Sequence, residues 1–161
     1  MKTIGVVANI EKPQAAPVLT QLAATARRLG LRLVAAPDTA RLLPGARQTK
    51  APRFGSGLDA VIALGGDGTL LHAARLVQFT ATPILGINLG NLGFLTSATV
   101  DELDAGLELL ARGGYRLSPR TVAEVAVTRG RKKQGTFRAL NDIVAGWGRS
   151  SRITTFAVEV D

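Results

Sequence analysis

The sequence contains no cysteine and a single histidine, His72. These absences exclude disulfide bonds, thiolate metal sites and an all-histidine zinc site within one chain. Any metal would therefore be bound by carboxylates, water and phosphate, which favours magnesium. No apolar run approaches the ~20 residues of a membrane-spanning helix, and the first residues lack the apolar segment and cleavage site of a signal peptide. We therefore expect a cytoplasmic protein without a membrane partner.

What the sequence does contain is apolar surface and positive charge. With 161 residues, 46% of them hydrophobic, the chain can bury the core of one domain or slightly more. A formal net charge of +8 is compatible with nucleic-acid binding. However, the basic residues are scattered, and their one cluster, Arg129–Lys133, contains no aromatic residue. We predict a solvated turn there and no nucleic-acid partner, although the positive field would attract nucleotides.

The first half of the chain alternates apolar strands with an amphipathic helix. Thr3–Ala8 and Leu31–Ala35 are predicted as strands. Between them, apolar residues at helical spacing predict a helix over Ala15–Leu29, with Gly30 as its C-terminal stop. This order implies a parallel strand pair with a right-handed crossover. The proline- and glycine-rich segment 37–57 is predicted as a surface loop with one short helical piece near residues 39–43.

Two further apolar strands are each followed by a glycine-rich segment. The run Ala60–Ala63 leads into Gly65–Thr69, which we name the first glycine loop. The strand predicted over Thr82–Asn88 leads into Leu89–Thr96, the second glycine loop. Continuous apolar runs are typical of parallel strands buried on both faces. Because ligands of open parallel sheets bind beyond the carboxyl ends of the strands, both loops are predicted to border one cleft.

The first glycine loop has two interpretations. Its glycines tolerate positive φ and leave backbone N–H groups uncovered, so the loop could cradle phosphate. Asp67 would repel phosphate unless a divalent metal bridges the two or the carboxylate serves another group, such as a sugar hydroxyl. The alternative is a plain turn with a helix cap. His72, in the helix predicted over Thr69–Val77, is either a surface or capping residue or a ligand contact, and Phe94 is either core or a stacking surface for a base.

After the second glycine loop, the pattern changes from helical to β-prone. Thr99–Glu102 is a capping box, and the helix that it starts is predicted to end near Arg112, before Gly113. Strands are then predicted over Val122–Thr128, Thr136–Leu140 and Thr154–Val160, with a hairpin turn through residues 130–135. The fold prediction is α/β: an open parallel-sheet, Rossmann-like N-terminal domain (1–116), followed by the first strands of an all-β domain (117–161). We expect this second part to be truncated, because so short a piece rarely covers its own apolar faces.

Several common active-site patterns are absent from the sequence. There is no Gly-x-x-x-x-Gly-Lys-Ser/Thr, and no Gly-x-Gly-x-x-Gly follows the first strand. No arrangement of serine and histidine suggests a nucleophile. What remains is Gly-Gly-Asp-Gly-Thr-Leu-Leu at 65–71, Leu-Gly-Asn-Leu-Gly-Phe-Leu at 89–95 and Ala-Leu-Asn-Asp at 139–142. In this order and spacing, the three motifs resemble the inorganic polyphosphate/ATP-NAD kinases, the NAD kinase family.

The resemblance implies an activity and a set of roles. The activity is transfer of the γ-phosphoryl group of ATP, or in some members of polyphosphate, to the 2′-hydroxyl of the NAD adenosine ribose, giving NADP, with magnesium. Asp67 matches the proposed general base, and Gly68 brings the backbone beside the substrate. His72 matches a basic or polar residue near the nucleotide, and Phe94 matches an aromatic near the adenine. Asn141 and Asp142 match the pair that holds the NAD ribose and amide groups. Arg152 matches a further polar contact.

The first motif alone is also found in diacylglycerol-type lipid kinases and phosphofructokinases, so a lipid kinase is one alternative. The other is a truncated, non-catalytic nucleotide-binding remnant, because the family's glycine-rich Thr-Gly-Ser-Thr-Ala-Tyr type loop does not occur before Asp161. Family members usually assemble as dimers or tetramers, so the resemblance also implies a homo-oligomer.

Overall fold

The computed structural model of the chain describes residues 2–43, 45–48, 54–90, 93–146 and 155–160. It divides into two compact units, residues 1–120 and 121–161. The predicted division into domains at 116/117 stays a prediction.

The described part of residues 1–120 contains both strands and α-helices. The strands are β1 (Thr3–Ala8), β2 (Arg32–Ala35), β3 (Arg47–Gln48), β4 (Ala60–Gly65), β5 (Ile84–Asn88) and β6 (Ala98–Thr99), and the helices are α1 (Ala15–Arg28), α2 (Asp67–Leu76) and α3 (Leu103–Arg112). The described strands form one parallel sheet in the order β3-β2-β1-β4-β5-β6. This is the strand order of doubly wound nucleotide-binding folds, and it confirms the predicted α/β, Rossmann-like class.

The core has two sides because side chains alternate along each strand. Ile4 and Ile62 belong to a cluster that also contains Leu19 of α1 and Leu107 of α3, all of them fully buried. On the opposite face, a Cβ at Gly5 would lie 2.9 Å from Phe54 and 3.0 Å from Val61. Helix α2 buries Leu70, Ala73 and Ala74. Leu70 packs against Gly86 of β5, where an added Cβ would lie 2.7 Å from Cδ1 of Leu70. Helices therefore cover both faces of the sheet.

The helix boundaries agree with their predicted signals. Gly30 follows α1 at φ +66° and Gly113 follows α3 at φ +74°, the left-handed conformation that glycine adopts most easily. The backbone N–H of Thr99 donates to Glu102 at 2.8 Å, which confirms the capping box.

The segment 37–57 is less superficial than predicted. Its helical piece is a 3₁₀ turn at Thr39–Arg41, whose Thr39 hydroxyl accepts the Ala8 N–H at 2.8 Å. Leu43 and Phe54 are buried, and β3 adds a short edge strand that the sequence pattern did not predict. The surface-loop prediction was wrong for Phe54, which packs together with Leu58 at the place where Gly5 has no side chain. Both residues of β3 are exposed.

The described part of residues 121–161 contains one antiparallel hairpin. Strands β7 (Ala123–Arg129) and β8 (Lys132–Ala139) pair through a tight turn in which Gly130 has φ +57°. The turn is shorter than predicted, so Arg129, Lys132 and Lys133 of the basic cluster lie at the ends of the two strands, and of its basic residues only Arg131 lies in the turn. The cluster is exposed, as predicted. The third predicted strand was wrong over 155–160, which is not strand; alternating apolar residues need a pairing neighbour to form one. In the described residues, no helix has the length and apolarity to span a bilayer.

Candidate functional site

A cavity of about 420 Å³ opens at the point where the strand order reverses. From β1 the chain moves outward to β2 and β3, then returns to β4 beside β1 and continues to β5. The crossovers on the two sides of this point lie on opposite faces, which leaves a crevice at the carboxyl ends of β1 and β4. Asn9 and Lys12 line the cavity after β1, and residues of the first glycine loop and α2 line it after β4 (Gly66, Gly68, Thr69 and His72). The first glycine loop therefore borders a cleft as predicted, together with the end of β1, whereas none of these lining residues belongs to the second glycine loop.

The glycines of the first glycine loop serve two different purposes. A Cβ at Gly65 would lie 2.7 Å from Cβ of Thr69, so this glycine is required by packing within the protein. A Cβ at Gly66 or Gly68 would meet nothing within 4 Å. Neither is needed for conformation, since Gly66 has φ −123° and the glycines with positive φ lie elsewhere. These two glycines therefore provide space and do not use the positive φ that glycine tolerates.

Helix α2 begins inside the first glycine loop, and its first N–H groups border the cavity. The Gly66 carbonyl accepts the N–H groups of Thr69 at 2.9 Å and Leu70 at 3.2 Å. No side chain caps this end of the helix. The first N–H groups of a helix have no acceptor within it, and the helix dipole makes this end attractive to anions. Lys12 also lines the cavity. The negative charge of Asp67, in the first turn of α2, is compensated by three N–H groups of the second glycine loop, so donors and a positive charge remain for an anionic ligand.

The carboxylate of Asp67 is directed to the second glycine loop. Its Oδ2 accepts the backbone N–H of Phe94 at 2.9 Å. Its Oδ1 accepts those of Leu95 at 3.0 Å and Thr96 at 3.2 Å. These hydrogen bonds, that of Phe94 first and then that of Leu95, hold the pKa of Asp67 below its ordinary value of 3.8. Asp67 is therefore ionised at neutral pH, and the two loops are joined through it.

A buried polar pair shapes the second glycine loop from beneath. Asn88, at the end of β5, donates from Nδ2 to the Thr96 hydroxyl at 3.1 Å and accepts the Gly90 N–H at 2.7 Å. The same hydroxyl accepts the N–H of Gly93 at 3.3 Å. Both Asn88 and Thr96 are buried, so their mutual hydrogen bond satisfies polar atoms that water does not reach.

The structure brings together some of the predicted site residues. Gly68 and His72 line the cavity, and Asp67 directly precedes Gly68 with its carboxylate on the second glycine loop. Phe94 is held there by its N–H, with its side chain 98% exposed, so it is not a core residue. These observations favour the ligand-contact alternatives for His72 and Phe94 without testing them.

The remaining predicted site residues lie in or beyond the second unit. Asn141 and Asp142 follow β8 and are exposed. Arg152 falls outside the described residues. The predicted roles of all three stay predictions.

Sequence reasoning missed Asn9, Lys12 and the close approach of the Asp67 carboxylate to Gly93. The first two follow β1, and the rule that placed both glycine loops at the carboxyl end of the sheet applies equally to this strand. Including the end of β1 in that rule would have found them. The contact at Gly93 carried no such signal, because nothing in a linear sequence shows that a carboxylate 26 residues away occupies the place of its side chain.

The described residues hold no group of three or more histidine or acidic side chains able to bind a metal ion. Magnesium is usually held by one or two carboxylates together with water and substrate phosphates, so such a cluster is not required for it. Oδ1 of Asp67 already accepts two N–H groups and Oδ2 one, which leaves Oδ2 the freer oxygen.

The chain is similar to known NAD kinases over most of its length. A family model described as the ATP-NAD kinase N-terminal domain matches residues 4–115. The NAD kinase of Moorella thermoacetica is 40% identical over 161 residues, which is 100% of this chain and 51% of the relative. The NAD kinase of Gemmatimonas aurantiaca is 50% identical over 105 residues, 65% of this chain and 36% of the relative. The chain thus spans about half the length, or less, of these relatives.

A solved structure supports the fold. The crystal structure of yeast NADH kinase complexed with NADH matches with a TM-score of 0.72 and 18% identity, covering 88% of this chain and 47% of that one. At this identity, the likeness concerns the fold alone.

Proposed function

This chain belongs to the NAD kinase family, and from that premise we propose that it contributes to transfer of the γ-phosphoryl group of ATP, or of polyphosphate, to the 2′-hydroxyl of the NAD adenosine ribose. The product is NADP. One observation carries the proposal most directly: the cavity at the strand-order reversal is bordered by the uncapped start of α2 and by Lys12. This arrangement suits phosphate groups.

The cavity would hold the phosphates close to the backbone. Gly66 and Gly68 have open space where their side chains would be, so a phosphate oxygen could reach the N–H groups at the start of α2. Lys12, which also lines the cavity, would add a positive charge. Donors fixed in place before the reaction stabilise the charge that spreads over the transferred phosphoryl group.

Asp67 would accept the proton of the ribose hydroxyl. Its low pKa keeps it ionised, but also makes it a weak base. A weak base is sufficient when the transition state for phosphoryl transfer is loose, because the hydroxyl then loses its proton late. Oδ2 is the oxygen proposed for this role, since it accepts one N–H group where Oδ1 accepts two. Magnesium, bound mainly by nucleotide phosphates and water, would neutralise phosphate charge.

The other predicted residues would position the two nucleotides. His72 would contact the nucleotide from the α2 side of the cavity, where it is exposed. Phe94 would stack on the adenine, for which its exposed ring is suited. Asn141 and Asp142 would bind amide and vicinal hydroxyl groups, and Arg152 would add a polar contact.

The experiment is a coupled assay of NADP formation from NAD, ATP and magnesium, using the 161-residue chain and the polypeptide encoded by its complete reading frame. Asp67→Asn should lower kcat by about 10²–10⁴-fold if Asp67 is the base. Asp38→Asn is the control, because Asp38 is exposed and its side chain caps no helix. Undiminished turnover of Asp67→Asn would exclude the base role, and absence of NADP from both polypeptides would exclude the activity. Replacing NAD by diacylglycerol separates the lipid-kinase alternative.

The cellular setting is part of the same proposal. We propose a cytoplasmic enzyme that assembles as a dimer or tetramer, as members of the family usually do. Size-exclusion chromatography with light scattering would measure the mass of the assembly, and a monomer at micromolar concentration would contradict the proposed oligomer.

A further inference from the structure

Gly93 occupies an unusual position relative to Asp67. A Cβ at Gly93 would lie 2.6 Å from Cγ and 2.7 Å from Oδ2 of Asp67, and closer still to Oδ1. Real Cβ atoms do not approach other atoms so closely, and here the obstacle is a carboxylate that is itself held by hydrogen bonds. Any side chain at position 93 would therefore push the second glycine loop away from Asp67.

Those hydrogen bonds all come from the residues that follow Gly93. Successive N–H groups of Phe94, Leu95 and Thr96 converge on one carboxylate, at 2.9, 3.0 and 3.2 Å. Hydrogen bonds to an ionised acceptor are stronger than those between neutral groups. Thr96 is fixed from its other side by Asn88, so the segment is held at both surfaces. Only Phe94 projects away from this segment into solvent.

We infer that Gly93 is a positioning residue: its missing side chain seats the Asp67 carboxylate against the second glycine loop and so fixes the position of Phe94 before a nucleotide binds. Asp67 then has a second role besides the proposed proton transfer. The three hydrogen bonds from residues 94–96 to Asp67, together with the close fit of Gly93, form what we call the lock between the two loops. The catalytic consequence rests on the proposed function, whereas the lock does not.

The lock itself is tested by amide hydrogen exchange on the 161-residue chain without ligand. We expect the N–H groups of Leu95 and Thr96 to exchange at least about tenfold faster in Asp67→Ala than in the wild type, as the loss of a charge-assisted hydrogen bond predicts. Gly93→Ala should have the same effect. Gly90→Ala, in the same loop, is the matched control, because its Cβ would meet only Asn88 at 3.8 Å. Equal exchange in wild type and Asp67→Ala overturns the inference.

A double-mutant cycle tests the reason why glycine is needed at position 93. Gly93→Ala should shift the urea midpoint of unfolding strongly in the wild type and much less in the Asp67→Ala background, where the carboxylate is gone. Equal shifts in the two backgrounds would show that Gly93 serves another purpose. If Gly93→Ala does not fold alone, recovery of folding in the double variant gives the same answer.

The positioning role is tested with NADH as a fluorescent probe. Gly93→Ala should weaken NADH binding by about tenfold, and Phe94→Ala should then weaken it little further, because the ring has already lost its position. Unchanged affinity in Gly93→Ala rejects the positioning role. If the wild type fails to bind NADH while the exchange results stand, the proposed nucleotide site is wrong and the lock remains.

Discussion

The first and second glycine loops leave the same edge of the sheet and use glycine for opposite reasons. At Gly66 and Gly68 the place of a side chain is open space that borders a cavity. At Gly93 that place is occupied by the carboxylate of Asp67. Glycine content alone therefore does not identify a ligand site. What matters is whether the room that glycine leaves is empty or is already filled by the protein.

The same contrast exists within the first loop, between Gly65 and its neighbour. Gly65→Ala should lower the free energy of unfolding by about 2–4 kcal/mol, because the new Cβ overlaps the Thr69 side chain at its branch point and forces the buried strand to move. Gly66→Ala should change it by less than about 1 kcal/mol, because its extended backbone accommodates alanine. Urea unfolding of both variants measures the difference, and equal losses would remove the distinction between packed and open glycines.

Gly68→Ala should separate binding from stability. Alanine favours a helix over glycine, so the free energy of unfolding should be unchanged or rise by up to about 1 kcal/mol. The added methyl group would occupy the cavity, and affinity for ATP should fall about tenfold. Isothermal titration calorimetry measures this fall. Gly106→Ala, in helix α3, is the control and should leave ATP affinity unchanged; unaltered affinity in Gly68→Ala would show that phosphate does not approach this part of α2.

After helix α2, the backbone has a conformation that favours glycine, but the sequence has other residues there. Gln78 and Phe79 follow α2 with φ of +55° and +52°. Gln78→Gly should raise the free energy of unfolding by about 0.5–1 kcal/mol by removing this strain. Arg75→Gly, within α2, should lower it by a similar amount. Thermal unfolding of the two variants gives opposite shifts if the cause is backbone conformation, and shifts of the same sign would exclude it.

The smallest effect concerns acid. Because the pKa of Asp67 is below 3.8 in the folded chain, its contribution to stability is complete above that pH and is lost as pH falls through the folded-state pKa. In Gly93→Ala the hydrogen bonds to the Asp67 carboxylate are lost, so this variant lacks the contribution. The difference in free energy of unfolding between the wild type and Gly93→Ala should therefore become smaller as the pH falls. Glu102 and Asp104 also have lowered pKa values, but both proteins share them. Urea titrations at several pH values measure the narrowing; a constant difference would contradict it.

Much of the fold could be predicted because its determinants are local. Apolar runs such as Ala60–Ala63 and stop signals such as Gly30 act within a few residues, and the order of strands and helices restricts the topology. The packing of Phe54 over Gly5 and of Asp67 against Gly93 joins residues far apart in sequence, so neither was predictable from spacing. The strand prediction for residues 155–160 was wrong for a related reason: a strand needs a pairing partner as well as an alternating pattern of its own.

The sequence predicted that the first glycine loop belongs to the site, but it did not predict the positive charge of Lys12 beside that loop. The helix that follows the first glycine loop was predicted from the sequence pattern, whereas the exposure of Phe94 was left open between two alternatives. Lys12 enters the site only through the adjacency of β1 and β4. That adjacency is a property of the whole sheet. A charged residue in a surface segment can be assigned to a site only when the strand order shows which other segment lies beside it.

One edge of the parallel sheet also restricts how copies of the protein can associate. Its edge strand β6 is two residues long and is followed directly by a 3₁₀ turn at Val100–Glu102. So short an edge offers few free backbone groups to another chain, which protects against edge-to-edge aggregation. Two copies of the parallel sheet would therefore not join into one continuous sheet through β6.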